Sequence, residues 1–152
     1  MDKIQIHPLR DSDFDKVAEL FDQYRQFYKQ QSDKEAAKVF LDNRLKNKEI
    51  MIFTAHLDTN IVGFTNIYPT FSSVQMKSAW TLNDLYVHKD YRRKGIAEAL
   101  IQHVQALAKE KNISHLQLET APDNKAAQAC YQQTGWQQNE FYTYYYDTGS
   151  DS

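Results

Sequence analysis

Apolar positions along the chain switch between two periods, and the switches mark the elements. Residues 3–7 alternate, with Ile4 and Ile6 on one face, which predicts a strand closed by Pro8. Phe14, Val17, Ala18 and Phe21 then recur at helical spacing, and Tyr24, Arg25 and Tyr28 extend the stripe. Ser12 stands ahead of it, and Asp13 and Asp15 place carboxylates in the first turn, where the helix dipole favours them. Ser32-Asp33-Lys34-Glu35 has the form of a capping box and predicts a second helix over 33–46. Its inner face would be Ala36, Ala37, Phe40, Leu41 and Leu45. Residues 50–57 and 61–68 predict a hairpin around Asp58-Thr59-Asn60. Residues 69–73 read as a loop with Phe71 exposed, and 78–87 as a central strand. Leu100, Ile101, Val104, Leu107 and Ala108 mark a long helix ending near residue 111, with Asn112 as its cap. Residues 114–120 alternate again, with Leu116 and Leu118 inward. Asn124 opens a short helix that runs to Gln133 and stops at Thr134-Gly135. A last strand region begins at Trp136 and ends in the aromatic run 141–146. The order β-α-α-β-β-β-α-β-α-β-β predicts an α/β fold, a mixed sheet with helices on both sides.

The length fits one domain with a real core, expected over 1–148, with 149–152 as a frayed tail. A formal charge of -2 argues against a dedicated nucleic-acid binder. Cys130 is the only cysteine, which excludes an internal disulfide and fits a reducing cytoplasm. No apolar run reaches the length of a membrane span, and the first residues lack a signal-peptide core. His7, His56, His88, His103 and His115 are scattered without paired ligand spacing, so no metal site is expected. Tyrosine is frequent enough that many rings are expected to line a cleft or an interface.

The chemistry concentrates between the central strand and the long helix, where Arg92, Arg93, Lys94 and Gly95 stand together. A helix N-terminus carries unpaired N–H groups and partial positive charge, three cations add to it, and glycine lets the backbone approach a ligand. That describes an anion cradle suited to phosphate, against the alternative of a solvated basic turn. The glycine spacing fits neither a P-loop nor a dinucleotide fingerprint. Arg92-x-x-Gly95-x-Ala97 resembles the Q/R-x-x-G-x-G/A signature of the GCN5-related N-acetyltransferases, the GNAT superfamily. Downstream, Asn124-x-x-Ala127-x-x-x-Tyr131-x-x-x-Gly135-Trp136 is similar to that family's second hallmark. Asn124 can cap its helix, Tyr131 lies one turn beyond Ala127 on the same face, and Gly135 stops the helix. Taken singly, Tyr131 reads rather as a core tyrosine on an amphipathic helix. The two motifs in this order overturn that reading.

The resemblance implies a GNAT fold, a single domain with a mixed, mostly antiparallel central sheet flanked by helices. It implies acetyl-CoA as cofactor, held by Leu85, Tyr86, Val87, Arg92, Arg93, Lys94, Gly95, Ile96, Ala97, Glu98, Asn124, Ala127 and Tyr131. Tyr24-x-x-Phe27-Tyr28 and Trp80-x-x-Asn83-Asp84-Leu85-Tyr86-Val87 look like the subgroup that acetylates polyamines, histone tails and other small primary amines. Tyr24, Phe27, Tyr28, Phe71, Asn83 and Asp84 would line the acceptor side, with core packing the alternative for Phe27. Where that subgroup often has a glutamate thought to deprotonate the amine, this chain has Asn83, which leaves the general base open. Asp84 matches and is either catalytic or an organiser of the loops.

The implied reaction is acetyl transfer to a primary amine by direct attack in a ternary complex. Main-chain groups of Leu85 and Val87, exposed by a splay in the sheet, would polarise the thioester carbonyl. The Tyr131 hydroxyl, with a reference pKa of about 10, would protonate the departing thiolate. Tyr131, Asp84 and Asn83 are thus the catalytic candidates. Cys130 invites a covalent route but should sit on the opposite side of its helix from Tyr131. A protein lysine or N-terminus as acceptor, or a silent acyl-CoA-binding module, remain the alternatives. The aromatic strand over 141–146 offers rings on both faces without charge or proline, and predicts a homodimer through the C-terminal strands.

Overall fold

A computed structural model describes residues 3–150. Five strands form one sheet in the order β1-β2-β3-β4-β5: β1 Ile4–Pro8, β2 Met51–Leu57, β3 Asn60–Ser72, β4 Lys77–Val87 and β5 Leu116–Gln117. The first three pairings are antiparallel and the last is parallel. Four α-helices accompany them among the described residues: α1 Phe14–Phe27 and α2 Lys34–Lys46 between β1 and β2, α3 Ile96–Glu110 between β4 and β5, and α4 Lys125–Gln133 after β5.

Each face of the sheet carries its own core. One gathers Phe53, Val62, Ile67, Trp80 and Leu82 under Ile96, Leu100, Ile101 and Val104 of α3. The other packs Ile52 and Phe64 under Val17, Leu20, Phe21 and Leu41 of α1 and α2. A strand pointing alternate residues to opposite faces would keep that division only if its period were unbroken. In β4 it is broken. The register passes from Ile67↔Leu82 to Asn66↔Asp84, so Asn83 is an extra residue without a partner on β3. Before this bulge, Trp80 and Leu82 face α3; after it, Leu85 and Val87 do, and Tyr86 turns to α1. One inserted residue thereby puts Asp84 and Tyr86 on the opposite face from the one that unbroken alternation predicts.

Several sequence expectations are corrected. Residues 69–73 are not a loop: β3 continues to Ser72, with Pro69 opposite Trp80. Its pairing with β2 ends at Ile67, so Pro69 lies on a free edge where a missing N–H costs no ladder bond. The capping box does not form. Asp33 caps α2 by accepting from Ala36 N at 3.0 Å, while the Ser32 hydroxyl donates to Asp22 instead. Asp13, not Ser12, precedes α1, after a 3-10 turn over Asp11–Asp13. Ala36 and Phe40 stay exposed, edging a shallow groove with Phe21 and Arg25. The strand expected over 114–120 shortens to two residues. The C-terminal strand does not form: no strand lies beyond β5 among the described residues, and Phe141, Tyr142, Tyr144, Tyr145 and Tyr146 are at least 86% exposed. Alternation and aromatic content report compatibility with a pleated surface; they do not supply the neighbouring edge. Residues 151–152 of the expected tail lie outside the described residues.

Candidate active site

The site begins where the sheet comes apart. β4 and β5 pair only at Trp80↔Leu116 and Thr81↔Gln117. Beyond them β4 runs on to Val87, and a cavity of about 660 Å³ occupies the gap, within the usual range for small-molecule sites. Leu82, Asn83, Leu85 and Val87 form its β4 wall, and Glu119 and Thr120 its β5 wall. Backbone polarity follows from neighbouring bonds. His88 N donates to Val62 O on β3, and Asp84 O accepts from Thr65 Oγ1 at 2.7 Å, also on β3. Alternation then turns the N–H groups of Leu85 and Val87 toward the cleft. The Val87 carbonyl, on that same edge, accepts from Arg92 Nε at 3.1 Å.

At one end the wall is cationic. Arg92, Arg93, Gly95, Ile96, Ala97 and Glu98 border the cavity. Arg93 and Gly95 both have positive φ, 64° and 81°. A turn through these conformations points successive N–H groups inward. The first helical backbone bond of α3 runs from Ala99 N to Gly95 O, so the N–H groups of Ile96, Ala97 and Glu98 have no helical acceptor. A Cβ on Gly95 would meet only Glu98 Oε2, at 3.7 Å; its backbone conformation, not lack of room, calls for glycine. The Arg92 guanidinium lies 5.6 Å from the Tyr86 ring, which fixes it against β4. Two guanidinium groups and three open N–H groups fit a pyrophosphate.

On the other side, α4 brings Asn124, Ala127, Cys130 and Tyr131 to the wall. Asn124 Oδ1 accepts from Ala127 N at 3.3 Å, capping the helix, and Asn124 itself lines the cavity. The helix ends on Trp136 N to Tyr131 O and Gly135 N to Gln132 O, with the Trp136 and Tyr131 rings 5.9 Å apart. This left-handed stop with its apolar clasp orients Tyr131. Burial, then the neighbouring Cys130 and Tyr28, push the Tyr131 hydroxyl up to about 12, so it keeps its proton at neutral pH. Cys130 is not on the far side of the helix as the spacing implied: it shares the cavity wall, 3.7 Å from Glu98 Oε1. Burial and that carboxylate push its thiol up to about 11, which keeps it neutral and poorly nucleophilic.

Another part of the cavity wall is aromatic. Tyr24 and Tyr28, from the last turn of α1, line it with rings 5.0 Å apart and edge to face. Asn83 lines it from the bulge. Of the residues expected at the site, five do not reach the cavity wall. Tyr86 faces α1, where its hydroxyl donates to Gln23 at 3.4 Å. Lys94 points to solvent from the turn. Phe27 is 62% exposed, so neither the site nor the core holds it. Phe71 is exposed at the far end of the β3–β4 hairpin. Asp84 is buried on the opposite face of β4, moved there by the bulge. Glu119, Thr120, Cys130 and Tyr91 line the cavity unannounced by any motif. The only sequence signal for Glu119 and Thr120 was their place just past a strand end. Among the described residues no group of His, Cys, Asp or Glu is arranged to hold a metal, and no helix is long and apolar enough to cross a membrane.

Residues 14–136 match the model of the acetyltransferase (GNAT) family. An uncharacterized N-acetyltransferase of Bacillus subtilis (strain 168), YhfO, is 38% identical over 142 residues, 93% of this chain and 95% of that protein. An aminoglycoside N(6')-acetyltransferase type 1 of Acinetobacter genomosp. 13 is 33% identical over 78 residues, about half of each chain. The crystal structure of a probable acetyltransferase superposes with a TM-score of 0.90 at 35% identity, covering 97% of this chain and 99% of that one.

Proposed function

The chain belongs to the acetyltransferase (GNAT) family and is an N-acetyltransferase that uses acetyl-CoA, and we propose that its acceptor is the primary amine of a small molecule. The observation that carries this is one continuous cavity lined by the guanidinium groups of Arg92 and Arg93 and by the rings of Tyr24 and Tyr28, with the carboxylate of Asp84 buried on the other face of β4. A cationic amine is drawn to the tyrosine rings and repelled by the guanidinium groups. The half-length likeness to an aminoglycoside acetyltransferase supports a small, amine-bearing acceptor.

When bound, acetyl-CoA supplies an acetyl group activated as a thioester. The Arg92, Arg93 and α3 N-terminal groups would hold its pyrophosphate. The cleft-facing N–H groups of Leu85 and Val87 stand ready to donate to an oxygen that gains negative charge. The rings of Tyr24 and Tyr28 exclude water from the amine, which favours its neutral, attacking form. Asn83 lies beside it and orients it without taking a proton. Tyr131 holds a proton at its hydroxyl for the leaving sulfur. The neutral Cys130 thiol favours direct attack over transfer through an acyl-cysteine. The enzyme works as a homodimer in a reducing cytoplasm on this reading, with the exposed aromatic segment 141–146 as the contact.

The test incubates the purified protein with acetyl-CoA and benzylamine, butylamine, 1,4-diaminobutane, an aminoglycoside or a lysine-containing peptide, and follows thiol release. Release with one or more of the small amines and not with the peptide is expected. Release with the peptide alone overturns the small-molecule assignment.

A further inference from the structure

Two acidic residues line the cavity, Glu98 and Glu119. Glu98 stands in the first turn of α3, with Cys130 Sγ 3.7 Å from its Oε1. Glu119 stands on the β5 side of the splay, two residues beyond the last β4–β5 pair, Thr81↔Gln117. That register, carried on, sets it level with Asn83 on β4. The face it presents follows from its neighbours. Gln117 Nε2 donates to Thr81 Oγ1 at 3.1 Å, so these two side chains share a face. Tyr68, opposite Thr81 on β3, packs into the core under α1 and α2, which makes that face the α1 face. Leu116 and Leu118 pack on the α3 side. Alternation therefore turns Glu119, like Gln117, to the α1 face, from which α1 contributes Tyr24 and Tyr28 to the cavity wall. Glu119 is exposed, and among the described residues no ion pair engages its carboxylate.

We propose that Glu119 is a specificity-determining residue: it binds a second, non-reacting cation of the acceptor and so selects short diamines and other polycationic amines over monoamines. The charge suits one part of such a substrate and not another. An opposite charge stabilises an ammonium group and holds the proton that the attacking nitrogen must lose. A carboxylate on this wall is therefore best used against a cation that stays charged through the reaction. The spacing agrees. Asn83, level with Glu119, lies two residues before Leu85, whose N–H faces the cleft, a separation of roughly 7 Å along an extended strand. A short alkyl chain bridges that distance, with one amine beside the thioester and the other at Glu119. The inference rests on the amine-acceptor reading of the cavity, but part of its test needs no turnover.

The first measurement is binding alone. Protein saturated with coenzyme A is titrated with 1,4-diaminobutane and with butylamine, followed by NMR. The diamine should bind the tighter, and Glu119→Gln should remove that preference. Equal affinities in the unaltered protein, or failure of both amines to bind, overturn the anchor. Diamine binding through Glu119 without thiol release would leave the anchor standing and sink the small-amine reaction instead. The second measurement is steady-state kinetics with the same pair. Glu119→Gln should lower the diamine-to-butylamine ratio of kcat/KM about fivefold, the scale of a solvated ion pair, through the diamine KM rather than kcat. Glu119→Lys should lower the ratio further, and added salt should erode it in the unaltered protein. An equal rise in KM for both amines overturns the proposal. So does an equal fall in kcat with loss of the acidic limb of the pH profile, which would make Glu119 the general base.

Discussion

On the proposed function, Tyr131 serves turnover and Arg93 serves binding. The Tyr131 hydroxyl is half-buried and stays protonated far above neutral pH. Tyr131→Phe keeps the ring against Trp136 and removes only the proton. Turnover should fall by about 10² to 10⁴, the usual contribution of a general acid, with the acetyl-CoA KM nearly unchanged. Steady-state kinetics check this, and near-normal turnover would reduce Tyr131 to packing. Arg93 lines the cavity and Lys94, next to it, does not. Arg93→Glu should therefore weaken coenzyme A binding by roughly tenfold or more, the scale of a charge-assisted hydrogen bond. Lys94→Glu should weaken it less. Calorimetry with coenzyme A separates them, and equal losses would mean that net charge rather than contact holds the pyrophosphate.

At the scale of elements, the ends of helices carry much of the organisation. All four close with paired bonds around a left-handed residue: Lys29, Lys48, Asn112 and Gly135. Only the last is glycine; Lys29 and Lys48 are followed by Gln30 and Glu49 and Asn112 by Ile113, so the closing bonds and the rest of the fold impose the turn on these three. The joint between α1 and α2 depends on Asp22, a buried carboxylate in mid-helix. It accepts from Ser32 Oγ at 2.7 Å, Asp33 N at 2.8 Å and Gln26 Nε2 at 3.1 Å. Asp22→Ala leaves the Ser32 hydroxyl and the Asp33 N–H without this acceptor. A loss of about 2 kcal/mol is expected, typical of stranded polar groups, read from urea denaturation. The same joint starts just past Tyr28, so the amine KM should rise more than the acetyl-CoA KM.

The whole molecule adds a pH dependence and an assembly state. His56 is buried on β2 beside Thr54, with Asp13 3.7 Å away and the His7 ring 5.0 Å away. Burial lowers its pKa below 6.5; His7 and Arg10 act the same way, and Asp13 opposes them. The unfolded chain therefore binds a proton here at a higher pH than the folded one. Its contribution to stability is full above pH 6.5 and is lost as the pH falls below that value toward the folded pKa. Urea midpoints at several pH values should show the decline, and His56→Gln should flatten it. The exposed rings of 141–146 address assembly. Each aromatic ring buries roughly 150–250 Å² when covered, so five from each of two copies reach the area of a stable interface. Sedimentation at micromolar concentration should give a dimer that deletion of 141–152 converts to a monomer.

Local pattern decided what local physics controls. The helical stripes, the hairpin, the glycine turn that opens α3 and the Asn124–Tyr131 face could all be read in advance, because each depends on residues within a few turns of one another. The two motifs therefore placed Arg92, Arg93, Gly95, Asn124, Ala127 and Tyr131 on one cavity before any packing was known. What the tertiary structure decided is which edge and which face each strand presents. The bulge at Asn83 reverses the parity of β4 and buries Asp84, and the short β4–β5 pairing opens the cleft and brings in Glu119 and Thr120. The aromatic run 141–146 has the composition of a strand and remains unpaired. Register and pairing belong to two chain segments at once, whereas periodicity describes one.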